Sequence, residues 1–237
     1  MTAPTIAAPH NQALYPRALP FVLFMLFIGL SEGLEVLGRR GLFELGPTTL
    51  YYLYPIKACA VAALLYFYRQ HYRELFWRDL ANVRNSALSV VVALITCTIW
   101  VWTDWVFAVS GSPAGFNPEL LPDGAIRILM TAVRVAGAVL VVPLMEELFW
   151  RSFMLRYLID ADFEKVPIGR FSWFSFAATT VLFGLEHHFI IAGMIAGAIY
   201  NALYYATRSI SQCVLAHAVT NLALAVYVLS TGRWYFW

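Results

Sequence analysis

The residues of this chain that could do chemistry begin with two adjacent glutamates in an apolar stretch. In the segment PLMEELFWR, which opens with Pro143, Glu146 and Glu147 precede Arg151. Glu147 and Arg151 are four residues apart with the carboxylate first, which is the favourable order for an ion pair on one helix. Glu146 lies about 100° further around the same helix and therefore points towards other helices. The spacing predicts one paired carboxylate and one that is available for chemistry. A charge cluster at a helix end is the structural alternative.

Two histidine motifs follow in later apolar stretches. In FGLEHH, His187 lies four residues after Phe183, and in HAVTN, His217 and Asn221 lie four residues apart on one helical face. An imidazole or carboxamide in an apolar helix is costly without a hydrogen-bond partner, so these side chains are expected to find partners on other helices. Hydrogen bonding between helices, or an imidazole at a helix end, is the structural interpretation of each motif taken alone.

Convergence of the three motifs would place a carboxylate, two imidazoles and a carboxamide in one largely apolar pocket. Such a group of side chains can activate water through a general base and stabilise an oxyanion through hydrogen-bond donors. Glutamate and histidine side chains can equally hold a divalent metal such as zinc. The residues by themselves leave both kinds of site open.

The composition of the chain requires most of it to lie in a membrane. Of its 237 residues, 61% are hydrophobic and only 13% are charged, and the mean hydropathy is +0.68. These values exclude a disordered chain or a coiled coil, and a water-soluble globule of this size would lack polar residues for its surface. A net charge of +2 provides no basic field, so nucleic acid is not an expected partner. The three cysteines lie in separate apolar segments without CxxC spacing, which predicts neither a disulfide framework nor a thiolate metal site.

Seven apolar segments approach the ~20 residues that a membrane span needs. They run over 19–37, 48–68, 86–109, 125–158, 172–187, 189–206 and 209–229. The sequence therefore predicts an all-α polytopic bundle of about seven transmembrane helices, between six and eight. It forms a single domain at 19–237, which follows a flexible tail at 1–18. The fourth segment is too long for one untilted crossing, and the fifth and sixth are short.

Arginine and lysine residues bias the orientation of these segments, because cytoplasmic loops are enriched in them. The third loop, 111–124, has none, whereas Arg39 and Arg40 in the first loop favour the opposite orientation. The larger number of basic residues in the second, fourth and sixth loops predicts a cytoplasmic amino terminus. Eight of the 16 arginine and lysine residues lie in or beside the second, fourth and sixth loops: Arg69, Arg73, Arg78, Arg84, Arg156, Lys165, Arg170 and Arg208.

The three motifs together resemble those of the CPBP family, the CAAX proteases and bacteriocin-processing enzymes, which is also called the ABI family. EExxxR (146–151), FxxxH (183–187) and HxxxN (217–221) occur in this order on successive apolar segments. The resemblance covers a motif-bearing core at about 125–229, and the overall layout is similar to bacterial proteins described as CAAX prenyl protease-related. It implies an integral protein of a bacterial inner membrane, an endopeptidase that hydrolyses a peptide bond of a membrane-associated or lipid-modified substrate.

Carried over residue by residue, the resemblance implies roles for the motif side chains. Glu146 matches the glutamate that activates the attacking water, with assistance from His187. His217 and Asn221 match the pair that supports the developing oxyanion. The second glutamate and the arginine of the EExxxR motif match a supporting ion pair.

Metal dependence and the choice of histidine stay open at this stage. If the site depends on a metal, the expected ligands are Glu146, His187 and His217. His188 directly follows the motif histidine, so either imidazole could face the site. The FxxxH spacing favours His187, and the adjacent Glu186 could orient either ring.

Two other functions are compatible with the same residues. A non-catalytic immunity or scaffold protein would bind a partner through this site without cleaving it. A proton-coupled transporter would use the carboxylates and imidazoles as a relay, but the sequence shows neither the repeated half nor the paired broken helices typical of such transporters. Processing of a partner, rather than its retention in intact form, distinguishes a protease from a binding protein.

Overall fold

The computed structural model describes residues 11–106 and 115–237, which fold into a helical bundle without a β-strand among them. Six helical stretches are long and apolar enough to cross a membrane, and a seventh apolar helix is shorter. The predicted all-α polytopic bundle is therefore confirmed. The stretches are α1 (Asn11–Arg39), α2 (Leu53–Phe67), α3 (Val83–Val106), a compound helix of α4, α5 and α6 (Ala125–Tyr157), α7 (Trp173–Leu185), α8 (Ile190–Thr207) and α9 (Ile210–Thr231).

The compound helix is interrupted twice by π-helical turns. A π-helical turn hydrogen-bonds five residues along the chain instead of four, and such turns are frequent at functional sites. The two turns lie immediately before and after the short helix that carries both glutamates, so they set the direction of both carboxylates. The pieces are α4 (Ala125–Ala136), a turn at Gly137–Val141, α5 (Val142–Glu147), a turn at Leu148–Met154, and α6 (Leu155–Tyr157).

The first helix begins before the predicted boundary at residue 19. Residues 11–18, which were expected to belong to a flexible tail, are helical, and residues 1–10 lie outside the described part of the chain. The Arg17 side chain explains the difference, since it is buried and donates to both carboxylate oxygens of Glu74 at 2.8 and 2.7 Å. This ion pair fixes the segment to the bundle through a distant residue, which local composition does not reveal.

The hairpin of α7 and α8 consists of two closely packed helices, the first of which is short. α7 has 13 residues, about 20 Å of helix, which is less than a hydrocarbon core of ~30 Å. Glycines let the two helices approach closely, because a Cβ on Gly193 would lie 2.9 Å from the Cα of Gly184, and one on Gly197 would lie 3.1 Å from the Cβ of Phe183. α8 also packs against α3 and α9. The connector at 186–189 contacts α3 and the segment 234–237, since the Phe189 ring centroid lies 6.4 Å from that of Trp100 and 5.3 Å from that of Phe236.

The two ends of the bundle differ in charge. The end formed by the loops after α2, α6 and α8 is called the basic end below. At the opposite end, the Tyr51 hydroxyl donates to the carbonyl oxygen of Gly115 at 3.1 Å, and the Phe116 and Trp237 rings lie 6.0 Å apart. The loops after α1 and α3 and the segment 234–237 therefore meet there. The basic end carries Arg69, Arg73, Arg78, Lys165, Arg170 and Arg208.

Candidate active site

Both glutamates of the EExxxR motif are buried in the bundle. Glu147 has no exposed surface, and Glu146 is 6% exposed. Glu147 accepts a hydrogen bond from Arg151 Nη1 at 3.0 Å, so the predicted ion pair between residues four apart is present. The same carboxylate oxygen accepts a hydrogen bond from His217 Nδ1 at 2.9 Å. Glu147 therefore joins the first and third motifs directly.

The hydrogen bond to Glu147 fixes the tautomer of His217. Because the carboxylate accepts, the neutral imidazole carries its proton on Nδ1, and Nε2 is left free. Nε2 lies 3.9 Å from Glu146 Oε2, a buried oxygen without a hydrogen-bond partner among the described residues. The ring also stacks on Tyr200, with centroids 5.1 Å apart, and the Tyr200 hydroxyl donates to Thr220 at 2.8 Å. His217 is thus held on two sides with Nε2 near Glu146.

His187 is the histidine of the connector that faces the site, whereas His188 is exposed. His187 Nδ1 donates to the carbonyl oxygen of Phe183 at 2.7 Å, which leaves Nε2 free. The ring meets Trp100 of α3 edge-on, at a centroid distance of 5.3 Å. The FxxxH spacing therefore reflects a hydrogen bond from the histidine back to the last turn of α7.

Asn221 compensates for a break in the backbone hydrogen bonding of the compound helix. In the first π-helical turn, the N–H of Val142 donates to the carbonyl oxygen of Gly137, five residues back, rather than to Ala138. The residue five positions after Ala138 is Pro143, which has no N–H. The Ala138 carbonyl oxygen accepts instead from Asn221 Nδ2 at 2.8 Å. The second N–H of that carboxamide remains for another acceptor.

All four residues with an expected catalytic role line one cavity of about 200 Å³. Glu146 comes from α5, His187 from the α7–α8 connector, and His217 and Asn221 from α9. The structure therefore brings the three sequence motifs to a common space bordered by carboxylate, imidazole and carboxamide groups.

Sequence reasoning missed the aromatic surroundings of this site. The Arg151 guanidinium carbon lies 4.8 Å from the centroid of the Phe183 ring and 5.3 Å from that of Tyr200. Arg151 Nη2 also donates to the carbonyl oxygen of Gly197 at 3.4 Å. These contacts fix the position of Arg151, which in turn donates a hydrogen bond to Glu147. The phenylalanine of FxxxH was the one available signal, whereas nothing in the spacing of Tyr200 singles it out.

Three acidic and histidine side chains are close enough to hold a divalent metal ion. Ligand atoms of Glu146, Glu186 and His187 lie within 4.8 Å of one another. Glu186 Oε1 accepts from Trp150 Nε1 at 3.0 Å, whereas Oε2 of each glutamate has no hydrogen-bond partner in the described part of the chain. Two carboxylates and an imidazole fit the ligand preferences of zinc. This group differs from the set expected from the sequence, because it contains Glu186 in place of His217, whose Nδ1 donates to a carboxylate.

A second buried polar cluster, here called the Arg17 cluster, consists of Arg17, Glu74, Ser152 and Arg156. Besides its bonds to Glu74, Arg17 Nε donates to Ser152 Oγ at 2.9 Å. Ser152 also hydrogen-bonds Glu74 and accepts from Arg156 Nη2 at 3.1 Å. Burial acts to raise the pKa of Glu74, but the hydrogen bonds and charge of Arg17 outweigh it and hold that pKa below its ordinary value. The cluster ties α1 and the loop after α2 to the compound helix.

Comparison with protein families gives a match that covers the motif-bearing part of the chain. Residues 128–223 match the family model described as Rce1-like, type II CAAX prenyl endopeptidase. The matched range contains every residue of the three motifs. No curated protein and no solved structure matches the chain. The match confirms the resemblance to CAAX proteases, and it indicates a membrane endopeptidase that acts on a membrane-associated protein or peptide.

Proposed function

We propose that this protein hydrolyses peptide bonds within the membrane, in the manner of a CAAX-type endopeptidase, by activating water with Glu146 and His187. The observation that carries the proposal is the cavity shared by Glu146, His187, His217 and Asn221, within the range that matches the CAAX-protease family. Its substrate is a membrane-associated or lipid-modified protein, because the cavity lies between helices that are long enough to span a bilayer.

Glu146 is the general base of this mechanism. Its Oε2 has no hydrogen-bond partner in the described structure and is therefore available to a water molecule. Glu146 removes a proton from that water while the water oxygen forms a bond to the substrate carbonyl carbon. The free Nε2 of His187 accepts the other hydrogen of the water and orients it. A positioned general base typically contributes about 10²–10⁴-fold to the rate.

His217 and Asn221 stabilise the oxyanion that forms on the substrate carbonyl. The second N–H of the Asn221 carboxamide donates to it, and His217 Nε2 donates when the ring carries a proton on both nitrogens. Glu147 accepts from Nδ1 in that form as well. When the tetrahedral intermediate collapses, the carbon–nitrogen bond breaks and Glu146 passes its proton to the leaving amine. Donors directed at an oxyanion are worth about 10²–10³-fold each.

A divalent metal ion is compatible with the same residues. Glu146, Glu186 and His187 would hold it, and when bound it would supply Lewis-acid activation of the water or the carbonyl group. The hydrogen bond from His187 Nδ1 to the carbonyl oxygen of Phe183 would then orient the imidazole ring as a ligand.

Processing of membrane proteins in cells tests the proposal. Membrane and surface proteins from cells that make wild type, Glu146→Gln, His217→Ala or Glu44→Gln are compared by mass spectrometry for new carboxyl termini. Glu44 is an exposed glutamate outside the site and is the matched control. We expect a cleaved product with wild type and the control, and its loss in both active-site variants.

Undiminished cleavage in either active-site variant would contradict the assignment. A partner that co-purifies intact, with a phenotype that survives Glu146→Gln, would instead support the non-catalytic binding role.

We further propose that the basic end faces the cytoplasm of a bacterial cell, which places the amino terminus there. The proposal is supported by the excess of arginine and lysine at that end. The active-site cavity extends from Glu146 towards Trp237 at the opposite end, so a substrate would approach from the non-cytoplasmic side.

Single cysteines placed in a cysteine-free variant test this orientation. Asp123→Cys lies at the opposite end and Arg170→Cys at the basic end, and both positions are exposed. We expect a membrane-impermeant maleimide to label Asp123→Cys in intact cells, and to label Arg170→Cys only after the membrane is permeabilised. The reverse pattern would invert the orientation.

A further inference from the structure

The segment 234–237 forms part of the wall of the active-site cavity at the end of the bundle opposite the basic end. The side chains of Phe236 and Trp237 both line this cavity. The centroid of the Phe236 ring lies 5.3 Å from that of Phe189, and the centroid of Trp237 lies 6.0 Å from that of Phe116. Contacts between aromatic rings therefore hold two side chains of the segment against the cavity.

A glycine separates this segment from α9. Gly232 has a left-handed backbone conformation, with a φ of +68°, which ends the helix and which glycine adopts without a steric penalty. The N–H groups of Trp234, Phe236 and Trp237 donate to carbonyl oxygens within 232–237, at 2.9 to 3.3 Å. These hydrogen bonds stay formed if the segment turns about Gly232 as one piece.

The active-site cavity is small for a peptide. Its volume is about 200 Å³, whereas ligand pockets usually measure about 300–1,000 Å³. A peptide substrate extends on both sides of the cleaved bond, so the cavity must open to admit it. Apart from His187 in the α7–α8 connector, the other residues of its wall lie in the long helices and the compound helix. The segment 234–237, whose four side chains are all partly exposed, is the part of the wall that moves at the lowest cost.

Displacement of Trp237 would join the active-site cavity to a larger one. A second cavity of about 680 Å³ lies beside it, and Tyr54, Arg134 and Trp237 line both. The Tyr54 ring is a platform within this shared wall, since its centroid lies 4.3 Å from the Arg134 guanidinium carbon and 5.1 Å from Lys57 Nζ. Trp237 is the member of the shared wall that belongs to the segment, so its movement would create a space of peptide size.

Gly115 lets the loop after α3 touch the backbone of the segment. A Cβ on Gly115 would collide with the carbonyl oxygen of Trp234. Any side chain at position 115 must therefore push the segment away from this loop. Gly115→Ala thus displaces the segment without changing a residue that lines the active-site cavity.

We propose that the segment 234–237 is a lid, which closes the active-site cavity in this conformation and turns about Gly232 to admit a peptide. The proposal rests on the proposed peptidase function for the purpose of the movement, whereas the movement itself is measurable without cleavage. Lids of this kind exclude water from a reaction site and turn about a few hinge residues.

Labelling of a thiol inside the cavity tests the lid independently of catalysis. In a variant whose three native cysteines are replaced, Ala138→Cys places a single thiol in the cavity wall. Its modification by a water-soluble maleimide is followed on the purified full-length protein in detergent. We expect Phe236→Ala and Gly115→Ala each to increase the labelling rate about twofold to tenfold, the range that loss of one aromatic contact gives.

Tyr52→Ala and Gly41→Ala are the matched controls in the same background. Tyr52 is an aromatic residue that is 46% exposed and lines neither cavity. Gly41 has a positive φ of +76°, similar to that of Gly115, but a Cβ there would meet no atom within 4 Å. Both controls should label at the rate of the Ala138→Cys parent. Labelling rates of Phe236→Ala and Gly115→Ala equal to those of the controls would overturn the lid.

A reversible cross-link tests whether the movement is needed for cleavage. In the cysteine-free variant, Phe116→Cys and Trp237→Cys replace two rings that lie 6.0 Å apart. Oxidation to a disulfide, confirmed by mass spectrometry, would fix the segment to the loop after α3. We expect cleavage of a library of random nine-residue peptides to fall about tenfold or more on oxidation and to recover on reduction, because substrate binds only to the open fraction.

The two readouts separate failure of the lid from failure of the proposed function. Undiminished cleavage by the cross-linked protein would overturn the lid while leaving the peptidase intact. If no form of the protein cleaves the library, the proposed function fails, and the labelling rates alone decide for or against the lid.

Discussion

Two buried polar clusters contact the same compound helix, and they differ in how completely their charges are satisfied. In the Arg17 cluster, both carboxylate oxygens of Glu74 accept from Arg17, and Ser152 adds a further hydrogen bond. Around the active site, one carboxylate oxygen of Glu146 and one of Glu186 have no partner in the described structure. Buried groups without partners cost stability. The difference supports a stabilising role for the Arg17 cluster and supports the proposal that the second cluster binds a substrate or a water molecule.

Glu146→Gln should have the largest effect of the variants considered, and this effect should be on activity rather than on stability. We expect turnover to fall by about 10²–10⁴-fold, because a carboxamide cannot act as the base. The melting temperature should stay equal or rise, since the substitution removes a buried charge that has no hydrogen-bond partner at Oε2. Thermal unfolding in detergent and peptide cleavage on the same preparation check both results. A large loss of stability would show that the Glu146 carboxylate stabilises the fold.

Arg17→Met should reduce the stability of the fold, in contrast to Glu146→Gln, which should reduce activity. Removing Arg17 leaves the buried carboxylate of Glu74 with Arg156 at 3.9 Å and the Ser152 hydroxyl as its partners. Breaking a buried ion pair typically costs about 3–5 kcal/mol of unfolding free energy, and the remaining partners place the expected loss near the lower end. Arg39→Met is the matched control, because the Arg39 side chain is 75% exposed and its pair with Glu35 should contribute less than about 1 kcal/mol. Denaturant unfolding measures both values. Equal losses of unfolding free energy in Arg17→Met and Arg39→Met would contradict a stabilising role for the Arg17 cluster.

Asn221→Ala should reduce both activity and stability, each by less than the variants described above. The substitution removes the proposed oxyanion donor, at about 10²-fold in kcat, near the lower end for such groups. It also leaves the Ala138 carbonyl oxygen without the hydrogen bond that Asn221 supplies, at about 1–3 kcal/mol. Cleavage assays and unfolding measurements separate the two effects. A kcat equal to that of wild type, together with reduced stability, would restrict Asn221 to support of the π-helical turn.

Local signals in the sequence are sufficient to predict the elements and the candidate residues. Hydropathy predicts seven apolar segments, and spacing of four residues selects the Glu147–Arg151 pair, His187 and the pair of His217 with Asn221. These signals are local because helical periodicity relates residues within one or two turns. The choice between His187 and His188 follows from the same periodicity, since only His187 donates back to the last turn of its helix.

Contacts between helices are the part that the sequence does not reveal. The hydrogen bond from His217 to Glu147, the platform that Tyr54 provides for Lys57 and Arg134, and the nearness of Glu186 to Glu146 each join residues far apart in the chain. No alternation or spacing relates the members of such pairs, because the packing of whole helices brings them together.

Acid should weaken the Arg17 cluster, and this is the smallest of the expected effects. Although burial acts to raise the pKa of Glu74, the hydrogen bonds and charge of Arg17 hold that pKa below its ordinary value of 4.5. A carboxyl whose pKa is lower in the folded state contributes its full stabilisation above the unfolded pKa and loses it as pH falls through the folded value. We therefore expect the melting temperature of wild type to exceed that of Glu74→Gln by a constant amount near neutral pH, and the difference to shrink as pH falls below about 4.5. Glu44→Gln, at an exposed position, should differ little from wild type at any pH. A difference for Glu74→Gln that grew in acid would mean that this carboxyl is protonated in the folded protein, and the contrast with Glu146 would be lost.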